Sequence, residues 1–188
     1  MQAYLAVLAL TLLIGMVLIR SLALRRQGIR AIHFGSLDRK DFLIPPFALL
    51  YFYMVFSNAF GWPMLSTFRF FESDVMGWFG VGVCAAGLLL FMASLISFGR
   101  SFRVGIDTGT TDKLITSGVF AFSRNPIYVA FATVLIGQFL IFPNWILLVY
   151  LVAATWLFHR QVLREEAYLR GHYGAEYEAY CKRVRRYL

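Results

Sequence analysis

Uncharged, mostly hydrophobic residues fill four long stretches of this chain, Ala3–Ile19, Phe42–Phe60, Val75–Phe98 and Pro126–Phe158. A bilayer core of about 30 Å takes roughly 20 helical residues to cross, with a range of about 17–25. The first three stretches therefore each predict one membrane-spanning helix. The pattern indicates an all-α membrane protein.

The fourth stretch has 33 residues and is too long for one crossing. It is interrupted by Pro143-Asn144, a turn-forming pair that a helix tolerates poorly. We therefore expect a tight helical hairpin whose short arms leave the turn below the headgroups. This brings the prediction to about five transmembrane helices, the last two forming the hairpin.

The last span is predicted to continue beyond the membrane as a C-terminal helical extension. No Gly or Pro occurs between Trp145 and Arg170, and Gly171 offers a stop. Beyond Gly174, large side chains at helical spacing predict a short amphipathic helix. They are Tyr177, Tyr180 and Val184, and we expect the tyrosines to serve packing rather than ligand contact.

Charge placement predicts the orientation in the membrane. With five crossings, 17 of the 18 basic residues lie on one side, and the opposite loop Gly61–Asp74 holds only Arg69. The positive-inside rule then places the N-terminus outside and the C-terminus in the cytoplasm. We expect a bacterial inner membrane, or the endoplasmic reticulum in a eukaryote. The 17 residues are Arg20, Arg25, Arg26, Arg30, Arg39, Lys40, Arg100, Arg103, Lys113, Arg124, Arg160, Arg164, Arg170, Lys182, Arg183, Arg185 and Arg186.

Composition supports a single membrane domain over residues 1–188, with three spans in 1–98 and the chemically informative part in 99–188. Hydrophobic residues make up 60% and charged residues 15%, against about 45–50% and about 25% in soluble domains. Topology explains the net charge of +8, so we expect no nucleic-acid partner. Neither cysteine has a histidine at metal-ligand spacing, and no metal site is expected. Gly80, Gly82 and Gly87 follow no strand, so they predict close helix packing rather than a nucleotide-binding loop.

Two polar segments flank the hairpin and allow two interpretations each. Asn125-Pro126 suits the start of a helix, with Arg124 at the headgroups. The same helix N-terminus also suits a carboxylate or phosphate. The adjacent Glu165 and Glu166 could be a solvated face, or they could pair with the ammonium of a cofactor. Folding of the hairpin must bring the two segments together.

The order of these motifs resembles one family. Four motifs follow one another along the chain: Gly118-x-Phe120, Arg124-Asn125-Pro126-x-Tyr128, Glu165-Glu166-x-x-Leu169 and Tyr173-Gly174-x-x-Tyr177-x-x-Tyr180. Their order and spacing resemble those of the isoprenylcysteine carboxyl methyltransferases and the related phospholipid methyltransferases of membranes. The resemblance covers roughly residues 99–188. It implies S-adenosylmethionine as the cofactor and methyl transfer to a lipophilic acceptor.

The resemblance also implies which residues form the site. Catalytic roles fall on Arg124, Arg160 and Glu166, with Arg160 near the position of a substrate-binding arginine. One departure is Asn125, where the family often has histidine, because asparagine forms hydrogen bonds but cannot titrate. The implied cofactor-binding residues are Leu114, Gly118, Arg124, Asn125, Pro126, Tyr128, Glu165, Glu166 and Leu169.

The expected partners are a lipophilic or lipidated substrate and membrane lipids, and no obligate protein partner is evident. Two alternatives stay open. Membrane sterol reductases, which bind NADPH, share a similar Arg-x-Pro-x-Tyr element and an ending like Tyr180-Cys181, but they are usually much longer. A non-enzymatic membrane scaffold is the other alternative.

Overall fold

A computed structural model describes residues 1–26, 44–63, 69–99 and 114–188, with only the backbone given at 44–46. These ranges contain no β-sheet. They form six α-helices and one short 3-10 helix, Gly118–Ala121. The helices are α1 (Gln2–Arg26), α2 (Ile44–Phe60), α3 (Asp74–Phe98), α4 (Pro126–Ile141), α5 (Trp145–Tyr173) and α6 (Ala175–Arg183).

The first five helices alternate in direction. The N-termini of α1 and α3 lie together, because the Gln2 side chain donates to the Asp74 carbonyl at 2.9 Å. Helix α2 returns between them, with the Phe60 ring 5.8 Å from Tyr4. Helices α4 and α5 are antiparallel arms of the predicted hairpin. The bundle thus has a turn end, which holds Pro143, and a site end, which holds Arg124.

Glycines allow α3 and α4 to touch backbone to backbone. A Cβ added at Gly80 would lie 2.6 Å from the Gly137 carbonyl oxygen, and one at Gly87 would lie 2.7 Å from Val134. The predicted packing role is confirmed for these two positions. It is wrong for Gly82, which faces open space.

The hairpin turn forms where the sequence predicts it, but α5 ends later than predicted. Asn144 starts α5 by accepting a hydrogen bond from the Leu147 amide at 2.9 Å, and it is buried. The predicted stop at Gly171 is wrong, since α5 continues through it to Tyr173. Gly174 ends the helix, and its φ of +51° is a conformation that glycine adopts without strain.

Among the described residues, three helices are long and apolar enough to cross a membrane: α1, α3 and α5. Helices α2 and α4 are shorter, at 17 and 16 residues. The structure is therefore an all-helical membrane protein, while the count of five spans and the orientation stay predictions. Six of the basic residues used to predict the orientation lie outside the described residues: Arg30, Arg39, Lys40, Arg100, Arg103 and Lys113.

Candidate functional site

The carboxylate of Glu166 is the centre of a polar cluster at the site end. We define the Glu166 cluster as Arg124, Asn125, Glu166 and Arg186. Oε1 of Glu166 accepts hydrogen bonds from Nε and Nη2 of Arg124 at 3.1 and 3.0 Å and from Asn125 Nδ2 at 3.1 Å. Its Oε2 accepts from Nε of Arg186 at 3.0 Å. The predicted approach of the two ends of the hairpin is therefore confirmed.

Arg124 joins three helices through its guanidinium group. Besides the pair with Glu166 of α5, its Nη1 donates to the carbonyls of Cys181 and Val184 at 3.2 and 2.8 Å. Those carbonyls belong to the C-terminal turn of α6, where unpaired acceptors and the helix dipole favour a cation. All three nitrogens of Arg124 are thus bonded to protein, and its side chain is only 10% exposed.

The chain after α6 folds back against the start of α4. We call Val184–Leu188 the tail. The Arg124 amide donates to the Arg185 carbonyl at 3.0 Å, and Asn125 Nδ2 donates to the Arg186 carbonyl at 3.1 Å. Asn125 thus takes the predicted position before α4, but its side chain bonds the tail and Glu166 instead of capping the helix.

Glu165 has a different environment from its neighbour. Its Oε1 accepts from the Tyr128 hydroxyl at 2.6 Å and from Gln161 Nε2 at 3.1 Å. Its Oε2 has no hydrogen-bond partner in the described parts of the chain. Tyr128 lies in the first turn of α4, so this pair also links the two arms of the hairpin.

The two carboxyl groups lie beyond Phe158, where the uncharged part of α5 ends, and their pKa values shift in opposite directions. Burial raises the pKa of Glu165, and the hydrogen bonds from Tyr128 and Gln161 only partly offset it. Burial also acts to raise the pKa of Glu166. There the hydrogen bonds and charges of Arg186 and Arg124 outweigh burial, and the pKa is lowered. The neighbours of Glu166 therefore stabilise its anion by more than burial destabilises it, whereas the hydrogen bonds of Glu165 do not outweigh its burial.

The remaining residues predicted to bind the cofactor have packing contacts on the neighbouring elements. Leu114 and Leu169 pack against the buried cluster of Tyr177, Tyr180 and Val184. Pro126 is buried as the first residue of α4. Gly118 has a φ of +63°, and a Cβ there would lie 2.3 Å from the Ser97 hydroxyl of α3. The tyrosines are buried, as expected for a packing role.

Arg160 lies apart from the Glu166 cluster on α5. Six residues along an ideal helix correspond to about 9 Å and roughly a third of a turn from Glu166. Its guanidinium carbon is 5.6 Å from the centre of the Trp156 ring, a cation–π arrangement. Its predicted catalytic role would therefore concern a different part of a substrate.

Sequence reasoning missed two residues of the tail. Arg186 bonds Glu166, and the Tyr187 hydroxyl lies 2.7 Å from Nδ1 of His159 on α5. A run of cations after an amphipathic helix is typical of headgroup contact. Nothing in that run distinguishes Arg186 from Arg185.

Comparison with known proteins points to methyltransferases. A sequence model of the phospholipid methyltransferase family matches residues 75–176. The chain is 30% identical to the protein-S-isoprenylcysteine O-methyltransferase of Schizosaccharomyces pombe over 107 residues, 55% of this chain and 45% of that protein. It is 30% identical to protein-S-isoprenylcysteine O-methyltransferase B of Arabidopsis thaliana over 109 residues, which are 56% of this chain and 55% of that protein. The Mus musculus protein-S-isoprenylcysteine O-methyltransferase is 31% identical over 126 residues, which are 65% of this chain and 43% of that protein.

The chain spans about half the length of the curated relatives it matches. The family match runs from the first turn of α3 into the first turn of α6. It includes the motifs on α4 and α5 and excludes the tail. With more than half of its residues matched, this chain belongs to the phospholipid methyltransferase family.

Proposed function

We propose that this chain transfers a methyl group from S-adenosylmethionine to a lipophilic acceptor at the cytoplasmic surface of a membrane. The observation that carries the proposal is the pair between Arg124 and Glu166, whose atoms approach to 3.0 Å although the residues are 42 positions apart. The hairpin thereby gathers the polar motifs on which the resemblance depends. Family membership supports a methyltransferase over an NADPH-dependent reductase.

The residues at the site fit the cationic groups of this cofactor. S-adenosylmethionine carries an ammonium and a sulfonium. A desolvated carboxylate is costly unless it is paired, and Oε2 of Glu165 lacks a partner within the described ranges. Glu165 is therefore suited to hold the ammonium. Tyr128, bonded to Glu165, presents an aromatic ring close by, which suits the sulfonium.

The protein's task in such a reaction is positioning. When bound, S-adenosylmethionine supplies an electrophilic methyl group, which a carboxylate oxygen or thiolate can accept without giving up a proton. Asn125, which cannot titrate, is compatible with an acceptor of this kind. The Glu166 cluster fixes α4, α5 and α6 relative to one another, which serves such positioning. On this proposal a lipophilic acceptor reaches the site from the bilayer.

Isothermal titration with S-adenosylhomocysteine tests the cofactor part of the proposal. We expect binding by the unaltered protein and a loss of about tenfold or more in Glu165→Gln. The matched control is Glu178→Gln on α6, which removes an exposed carboxylate. A well-folded protein that does not bind, or binding equally insensitive to both substitutions, contradicts the proposal.

The acceptor is tested separately with radiolabelled S-adenosylmethionine. The names of the matched relatives make an isoprenylated cysteine carboxylate the first acceptor to try, followed by whole membrane lipid extracts. We expect label in a lipid-soluble product that depends on Glu165. Label only in water-soluble products contradicts a lipophilic acceptor.

A further inference from the structure

The tail holds Arg186 in place through its backbone. Val184 is buried against the tyrosines of α6, the Arg185 carbonyl accepts from the Arg124 amide, and the Arg186 carbonyl accepts from Asn125. These contacts do not involve the Arg186 side chain. The fold therefore places the Arg186 guanidinium group beside the Glu166 carboxylate. Arg186 lies outside the residues matched to the family.

The Glu166 cluster contains more positive than negative charge. Two guanidinium groups, those of Arg124 and Arg186, share the single carboxylate of Glu166 at 3.0 and 2.9 Å. One positive charge is left over beside a buried carboxylate. Such a surplus favours an anion at whichever guanidinium group remains accessible.

Only one of the two arginines has a donor to offer. Every nitrogen of Arg124 is already bonded, so binding a ligand there would break hydrogen bonds to Glu166 or to the end of α6. Arg186 uses Nε and Nη2 on Glu166. Its Nη1 has no partner among the described residues, and its side chain is 38% exposed.

We propose that the Nη1 edge of Arg186 is a carboxylate subsite that binds the carboxylate of the methionine part of S-adenosylmethionine. This inference rests on the proposed function and assigns to Arg186 a role for which the sequence also offered the N-terminus of α4. Glu166, which holds Arg186, directly follows Glu165, which suits the ammonium. The guanidinium group of Arg186, held by Glu166, and the carboxylate of the adjacent Glu165 together match the zwitterion of an α-amino acid.

Two ligands that differ only in this carboxylate test the subsite. Titration compares S-adenosylmethionine with its decarboxylated form, in the absence of any acceptor. We expect Arg186→Gln to weaken S-adenosylmethionine roughly ten- to a hundredfold, as for the loss of a hydrogen bond between charged groups. The affinity for the decarboxylated ligand should stay within about threefold. Arg186→Lys should recover part of the loss, because it keeps the charge but not the fork of donors.

Arg185→Gln is the matched control, because it removes the same charge one residue earlier from an exposed side chain. We expect it to leave both affinities unchanged. Thermal unfolding of each variant is measured alongside, and Arg186→Lys replaces Arg186→Gln if the latter does not fold.

Each outcome decides between the two proposals. Unchanged binding of S-adenosylmethionine by Arg186→Gln overturns the subsite, and so does an equal loss for both ligands, which would mark Arg186 as purely structural. If only methyl transfer to an acid acceptor suffers, Arg186 binds the acceptor's carboxylate and the inference is wrong. If the unaltered protein binds neither ligand, the proposed function fails and the subsite fails with it.

Discussion

Glu165 and Glu166 are adjacent in the chain but should respond to substitution in opposite ways. Glu166 is 3% exposed and paired with two arginines, and removing one partner of such a buried pair costs about 3 kcal/mol. We expect Glu166→Gln to lower the melting temperature clearly. Glu165 is desolvated with few compensating contacts, so Glu165→Gln should leave the melting temperature unchanged or raise it.

Thermal unfolding in detergent measures both effects, and Glu178→Gln again controls for loss of an exposed carboxylate. The combination of retained stability and lost cofactor binding in Glu165→Gln is the sign of a ligand-binding group. Equal destabilisation by the two glutamine substitutions contradicts this division of roles.

The lowered pKa of Glu166 predicts how stability depends on pH. Because the folded pKa lies below the unfolded value of about 4.3, the stabilisation is complete above that value and is lost as pH falls through the folded pKa. We expect the melting-temperature difference between the unaltered protein and Glu166→Gln to be constant from pH 7 to about 5, and to shrink below about 4.3. The raised pKa of Glu165 gives a pH dependence of stability of the opposite sign. Because Glu165 is present in both proteins, its contribution cancels in the difference. A difference that grows on acidification contradicts the assignment.

Residue pairings were only partly predictable from the sequence. The meeting of Arg124 with Glu166 follows from the hairpin, since a turn at Pro143-Asn144 brings the flanking segments together. The second acceptor of Asn125 does not follow from it. Asparagine before proline suits a helix cap, and it is the return of the tail, fixed by packing of Tyr180 and Val184, that brings the Arg186 carbonyl to the Asn125 side chain.

Helices α3 and α4 depend on glycine at their closest approach. A Cβ at Gly137 would lie 2.6 Å from the Cys84 sulfur and 2.7 Å from the backbone of α3. We expect Gly137→Ala to destabilise the protein by about 1–3 kcal/mol through overpacking, as measured by thermal or denaturant unfolding. Gly82→Ala, on the open face of the same helix pair, should be neutral or stabilising by up to about 1 kcal/mol. Equal effects at the two positions contradict close packing as the cause.

Helix ends were predicted well where two local signals agree and poorly where one glycine stood alone. Proline and asparagine together mark the hairpin turn, and Asn144 supplies the cap for α5. Gly171 is a single glycine, which a helix can contain at a cost of about 1 kcal/mol. The helix ends instead at Gly174, where α6 begins and buries Tyr177, and neither glycine by itself indicates which of the two ends α5.

The N-terminal helices support the site although they carry none of its motifs. The Arg20 side chain donates to the Gly99 carbonyl at the end of α3, and Ser97 of α3 accepts from the Val119 amide at 3.3 Å. Through these contacts, α1 and α3 hold the 3-10 helix that precedes Arg124. Deeper in the bundle, the Tyr51 hydroxyl of α2 donates to Gln138 of α4. The whole bundle therefore positions α4.

The alternation of five helices predicts that α4 crosses the membrane despite its length. Its 16 residues span about 24 Å, less than the hydrocarbon core of about 30 Å. The turn that follows is buried, and the Pro143 carbonyl accepts from the Phe70 amide at 2.8 Å. Protein atoms rather than headgroups thus satisfy the turn, so a short α4 does not leave polar backbone exposed to lipid.

Labelling with a membrane-impermeant maleimide tests this crossing. With Cys181→Ser as background, Glu72→Cys and Lys182→Cys place exposed thiols before α3 and within α6. Three crossings by α3, α4 and α5 put them on opposite sides. We expect Glu72→Cys to react in intact cells and Lys182→Cys only after lysis, because the basic loops stay in the cytoplasm. If only the long helices α3 and α5 cross, both cysteines lie on the same side and react together, which contradicts the five-span arrangement.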